Sequence, residues 1–344
     1  MPDRTSKRPL NPTGVLLATL GMGMVLLAVA GISMLMGTLD IGLAQALALV
    51  TGRGEVSEQT RLILSEIRLP RILLAALVGY ALALGGVVFQ AVLRNPLADP
   101  FVLGVSSGSA FGAVLGIALG LGFGFGVPAL SFAGALLAVF LLLALGIKAI
   151  ATESSTILLT GVVINAFFTA IIMFLLSVTT DAKLHAMLFW LYGDLSQPDY
   201  HQLSLIAPVL LAASLILYGF SYHLNLLTLG EHTAMRLGME VVRAKLVLLI
   251  LVSLMVGIVV AFSGIIGFVG LIVPHLVRMA FGPDHRLLIP LAALGGAAFL
   301  VAADTLARTL VAPTELPVGV ISAFLGAPFF IFLLRARGSP WNRS

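Results

Sequence analysis

The sequence predicts an all-α integral membrane protein of about ten transmembrane helices. Its 344 residues are 60% hydrophobic and only 10% charged, against roughly 45–50% apolar and 25% charged in soluble domains. The apolar residues fall in runs of about 20, the length needed to cross a bilayer as a helix. None of the runs has the ten-residue alternation of a membrane β-barrel. The absence of cysteine excludes disulfides and thiolate metal sites. The net charge of +4 is spread over loops rather than clustered, which argues against a nucleic-acid partner.

The first run, Gly14 to Gly37, follows Arg4, Lys7 and Arg8 and superficially looks like a signal peptide. It exceeds the roughly 7–15 residues of a secretory apolar core. It is therefore expected to remain as the first membrane helix, after a cytoplasmic tail over residues 1–13. The second run covers 69–92 and opens on Arg68-Leu69-Pro70-Arg71. Two arginines at an outer mouth run against the positive-inside rule. Either their stems snorkel to lipid phosphates, or they offer bidentate bonds to carboxylates of an external partner.

Arg94 to Pro100, RNPLADP, reads as a stiff turn in which Asp99 and Pro100 cap and start the third helix, 100–121. The following GVSSGSAFGA, Gly104 to Ala113, is small and hydroxylic; such a face either packs closely or lines a wet path. Helices four and five are expected at 126–149 and 155–178. Ser154 and Ser155 precede the fifth as caps, and Asn165 within it requires a polar partner. An outer segment, Asp181 to His201, leads to helix six at 202–220.

The longest polar interruption of the second half is Leu227 to Lys245. Thr228 and Glu231 have capping-box spacing. Ala234, Leu237, Gly238 and Val241 then recur on one helical face, opposite His232, Arg236, Glu240 and Arg243. A solvated connector and a surface read by a partner both fit that pattern. Helix seven follows at 244–263. Phe262 to His275 holds three glycines and a proline, predicting a broken helix before the short eighth, 270–281. In the ninth, 287–309, Asp304 and Arg308 stand four apart and predict a local ion pair. The tenth covers 318–335, with a cytoplasmic tail over 336–344.

Small residues four apart, at Gly79 and Ala83, Gly112 and Gly116, and Gly134 and Ala138, allow close helix approach. With this map, thirteen of the nineteen lysines and arginines fall on one side. That bias predicts both termini in the cytoplasm, with the Leu227–Lys245 loop on the same side. The six histidines lack metal-ligand spacing, and no catalytic set or metal site is expected. No G-x-x-x-x-G-K-[ST] phosphate loop occurs, so ATP hydrolysis by that device is excluded.

Taken together, RLPR, NPLADP, GVSSGSA, GEHTAMRLG, GFVGLIVPHLVR and ELPVGVISAFLGAPFF occur in an order that resembles the FecCD, or vitamin B12 permease-like, family from about residue 60 to 335. The resemblance implies the fold of a type II ABC importer permease, acting on ferric siderophores, heme or cobalamin in a bacterial inner membrane. It implies a second permease subunit, in a homodimer or a homologous pair with the pathway at the interface, two separate ABC ATPases that use ATP and Mg, a periplasmic or lipid-anchored binding protein, and no cofactor on this chain. The loop at 222–243 then looks like the ATPase-coupling segment, with Thr228, Gly230, Glu231, His232, Ala234, Arg236, Leu237 and Gly238 as its contact residues. By the same resemblance Arg68, Arg71 and Arg308 meet glutamates of the binding protein. Asn95 and Leu97 match an inner gate, and Ser154 and Ser155 fall near another constriction. An ion-gradient-driven secondary transporter is the alternative, with Asp304 as its one candidate coupling carboxylate. A third reading, an intramembrane enzyme, finds no paired acids or dyad to support it.

Overall fold

The computed structural model describes residues 12–37, 41–45, 48, 57–150 and 154–336. Its helices are α1 (Pro12–Leu35), α2 (Glu58–Leu62), α3 (Leu69–Val92), α4 (Val105–Ala118), α5 (Gly126–Ile150), α6 (Ser154–Val178), α7 (Asp181–Leu191) and α8 (Tyr200–Gly219). They continue as α9 (Ser221–Thr228), α10 (Glu231–Arg236), α11 (Val241–Ser263), α12 (Val269–Phe281), α13 (His285–Thr309) and α14 (Val318–Ala336). Seven described helices are long and apolar enough to cross a bilayer, and the shorter apolar helices α4, α12 and the apolar part of α14 bring the expected ten. α2 runs through a π-helical stretch, Ile63–Arg68, straight into α3. The second span therefore begins well before the residue 69 that hydropathy marks. Pro12 and Thr13 belong to α1 rather than to a tail, and residues 1–11 and 337–344 of the expected tails lie outside the described residues.

α3 is the hub. It packs on α13, α11, α12 and α8, and almost all of its C-terminal half is buried. Lipid supplies no hydrophobic driving force between helices, so contact depends on how closely backbones approach. The expected small-residue pairs supply that approach. A Cβ built on Gly79 would stand 2.2 Å from the Gly296 carbonyl oxygen, and one on Gly112 would stand 2.0 Å from that of Leu130. Substituting Gly79→Ala is expected to force α3 from α13 and cost about 1–3 kcal/mol, read as a lowered unfolding temperature in nanodiscs. The equivalent change at Gly21, which has nothing within 4 Å, is expected to be silent.

The predicted break near Phe262 is present. α11 ends at Ser263, Gly264 (φ +68°) and Phe268 (φ +69°) turn the chain, and α12 starts at Val269. The turn after α3 is also as expected. Asn95 Oδ1 accepts from Leu97 N at 2.9 Å, and Asp99 Oδ1 accepts from Phe101 N at 2.9 Å to cap a short 3-10 helix, Pro100–Leu103. The small stretch after it packs closely, as one of the two expectations for it had it. Gly108 and Ser109 press on Gly134 and Ser131 of α5, while Ser106 and Ser107 line a cavity.

Two expectations for the Leu227–Lys245 loop are corrected. Thr228 and Glu231 do not form a capping box, because Thr228 closes α9 and donates to the Asn225 carbonyl at 2.7 Å. Gly230, at φ +107°, then breaks the chain before α10 starts. The segment is also not one amphipathic helix. A second left-handed glycine, Gly238 at φ +85°, ends it, so Ala234 and Val241 are buried but Leu237 points outward at 58% exposure.

Candidate functional site

The structure gathers the candidate residues at the two ends of the bundle and in a cavity between them. At one end lies α10, preceded by Thr228, which lines a cleft with Arg94 and Arg278. His232 and Arg236 are exposed as expected, and so are the apolar Leu229, Met235 and Leu237. Glu231 behaves differently. Its carboxylate takes the ammonium of Lys245 at 2.5 Å, and that lysine, in the second turn of α11, is fully buried. This pair ties α10 to a membrane-spanning helix. Sequence reading missed it because the residues are fourteen apart and meet only after Gly238 has turned the chain, although a lysine at the start of an apolar run was a usable signal.

Around this end the chain is cross-braced by polar groups. Gln90 donates to the Gly270 carbonyl at 3.0 Å and accepts from Arg278 at 2.8 Å, joining α3 to α12. Asn225 donates to Asp284 at 3.0 Å and accepts from His285 N at 2.9 Å, joining α9 to α13. The Arg286 guanidinium on Asp284, helped by the Arg286 N–H and the Asn225 amide, holds the Asp284 carboxyl down to about 2. Its stabilising contribution is therefore complete above the unfolded value near 3.9 and lost as pH falls through 2. Asp284→Asn is expected to flatten the loss of thermal stability between pH 4 and pH 2, seen as a converging difference from the parent chain over that window.

At the other end, Arg68, Arg71 and Arg308 are not displayed at a mouth as the sequence suggested. All three are buried. Arg68 donates to the carbonyls of Met34 and Leu35 at 2.7 and 3.0 Å. Arg71 grips Asp304 at 3.0 Å and Glu315 at 2.7 Å. The predicted Asp304–Arg308 pair exists at 3.1 Å, and the Arg308 guanidinium also reaches Ser33 at 2.8 Å. The physical reason is that a guanidinium in an apolar surround must have its charge matched and its donors used. Glu315 and Ser33 are the members sequence reasoning did not single out. The arginines and Glu315 still line a cleft of about 240 Å³ with Gly37, Ile63 and Ile67.

Asn95 is half-buried and Leu97 half-exposed beside the α3 terminus. Ser154 and Ser155 open α6, and their side chains lie outside the described residues. Further in, a cavity of about 600 Å³ lies between α4, α6 and the turn before α12, with Asp99, Ser106, Asn165 and Thr169 on its wall. The Asp181–His201 segment folds as α7 and an extended return, and its Leu191 reaches this cavity.

Residues 25–336 match the profile of the FecCD transport family. The chain is 46% identical to the cobalamin import system permease protein of Halobacterium salinarum, over 82% of this chain and 76% of that one. It is 42% identical to the hemin transport system permease protein of Yersinia pestis, over 78% and 82% respectively. Among solved structures, an inward-facing ABC transporter of metal-chelate type matches with a TM-score of 0.83 and 33% identity, covering 92% of this chain and 98% of that one.

Proposed function

The chain belongs to the FecCD transport family, and from that premise we propose that it is the membrane-spanning half of an ATP-driven importer, carrying an iron chelate, heme or cobalamin inward by alternating access. ABC importer permeases of this family carry no ATPase site; hydrolysis belongs to a separate subunit. The observation that carries the proposal is α10. A short helix exposes Met235, Leu237 and Arg236 beyond the bundle while its first residue is locked to α11 through Lys245. Exposed apolar tips beside an arginine suit a socket in a soluble partner, and the internal ion pair passes displacement of that helix to the membrane domain. Two ATPases closing beneath a permease dimer would thereby rock its halves.

The outer arginines enter this proposal in altered form. Arg71 is held by Glu315, whose side chain is 42% exposed. A glutamate of a binding protein that docks in the cleft would exchange with Glu315 rather than meet a vacant arginine. The secondary-transporter alternative loses its support, because Asp304 is matched by Arg71 and Arg308.

Charge reversal at Arg236 together with Leu237→Asp is expected to abolish co-purification of the ATPase subunit, with the unfolding temperature unchanged. Undiminished association of that double variant would remove α10 as the docking element.

A further inference from the structure

We propose that Asp99, Ser106 and Asn165 form a cargo-contact site on the wall of the inner cavity, accepting hydrogen bonds from N–H or O–H groups of the passing chelate. The inference rests on the importer reading and deepens it. Asp99 uses only half of its carboxylate. Oδ1 caps the 3-10 helix through Phe101 N, while Oδ2 is buried with no hydrogen-bond partner among the described residues. Ser106 Oγ is in the same condition. Both residues are more than nine-tenths buried, and both line the same cavity.

Two buried polar atoms without partners among the described residues, both on residues that line one cavity, are not what packing selects. Such groups cost stability, and a fold that needed only the helix cap is served by asparagine or serine at position 99 without a buried charge. Ser107 and Thr169 add two more hydroxyls, and the rest of the wall is apolar, with Phe101, Ile172, Leu191 and Phe268 among it. A concave apolar surface of roughly 300–1,000 Å³ with a few convergent polar groups is how small-molecule sites are built. An ionised carboxylate is acceptor-only, and a serine hydroxyl and an asparagine carbonyl lining the same cavity can also accept. The matching cargo surface is therefore an amide, hydroxyl or ammonium on the rim of a large apolar body. Because the cargo arrives from a binding protein, the contact acts on how well a delivered molecule is held while the pathway switches. It does not set the affinity of first capture.

The test uses proteoliposomes holding the chain with its ATPase and binding protein, supplied in turn with cyanocobalamin, hemin and a ferric hydroxamate. Asp99→Asn keeps Oδ1 for the cap and turns the Oδ2 position into a donor. It is expected to lower cargo moved per ATP hydrolysed about tenfold, and Ser106→Ala about threefold, with ATP hydrolysis and binding-protein affinity unchanged. Ser106 Oγ makes no bond to lose, so Ser106→Ala remains decisive even if Asp99→Asn fails to assemble. Parental transport per ATP in Ser106→Ala, or in both variants, overturns the site while leaving the importer intact. Absence of ATP-dependent uptake of all three cargos by the parent chain removes the importer reading and the site with it.

Discussion

Glu231→Gln is expected to destabilise the chain by about 3–5 kcal/mol and to uncouple ATP hydrolysis from transport, whereas Lys245→Met is expected to do less harm. The asymmetry follows from burial. Lys245 is fully buried and Glu231 keeps about a fifth of its side chain exposed. Losing the carboxylate strands an ammonium in an apolar surround; losing the ammonium leaves a carboxylate that water can reach. The double variant Glu231→Gln, Lys245→Met is expected to regain most of the stability, because a matched neutral pair avoids the cost of an unpaired charge. It should not regain transport, since the tie between α10 and α11 is gone. Unfolding temperatures in nanodiscs and cargo moved per ATP separate the two effects. Equal losses in both single variants would contradict the burial argument.

The outer network is expected to be as sensitive. Asp304 is the shared acceptor for Arg71 and Arg308, at 3.0 and 3.1 Å, and all three side chains are almost wholly buried. Asp304→Leu leaves two guanidiniums facing each other with Glu315, Ser33 and Thr305 as their remaining side-chain partners among the described residues. The expected cost is about 3–5 kcal/mol, enough to prevent accumulation of the folded chain at growth temperature. Glu315→Gln, at the exposed rim, is expected to cost under about 1 kcal/mol. Thermal unfolding of the two variants checks the ranking. A rim substitution as damaging as the buried one would show that the cluster is not organised around Asp304.

Much of this was legible in the residues. Ten spans followed from runs of apolar residues, because the bilayer fixes how long each must be. The NPLADP turn, the broken helix after Ser263 and the Asp304–Arg308 pair followed from local chemistry acting within a few residues. What local pattern could not supply was contact across distance. Arg71 finds Asp304 at a separation of 233 residues, and Lys245 finds Glu231 only after Gly238 has turned the chain. The capping-box reading of Thr228 failed for a local reason. A Thr-x-x-Glu spacing is satisfied on paper, but the glycine between them takes a left-handed backbone that starts a new helix. Arg68 and Arg71 stood out as exceptions to the positive-inside rule, and the partners that bury them, Met34, Leu35, Asp304 and Glu315, lie too far along the chain for that rule to find.

The most direct measurement of the central claim is uptake into proteoliposomes reconstituted with the chain, its ATPase and its binding protein, with ATP inside and each of heme, a ferric siderophore and cobalamin outside. The account predicts ATP-dependent accumulation of one of them, stimulated by the binding protein and abolished when Leu237 and Arg236 are replaced. Accumulation driven instead by an imposed proton or sodium gradient, with ATP and the binding protein without effect, would contradict it.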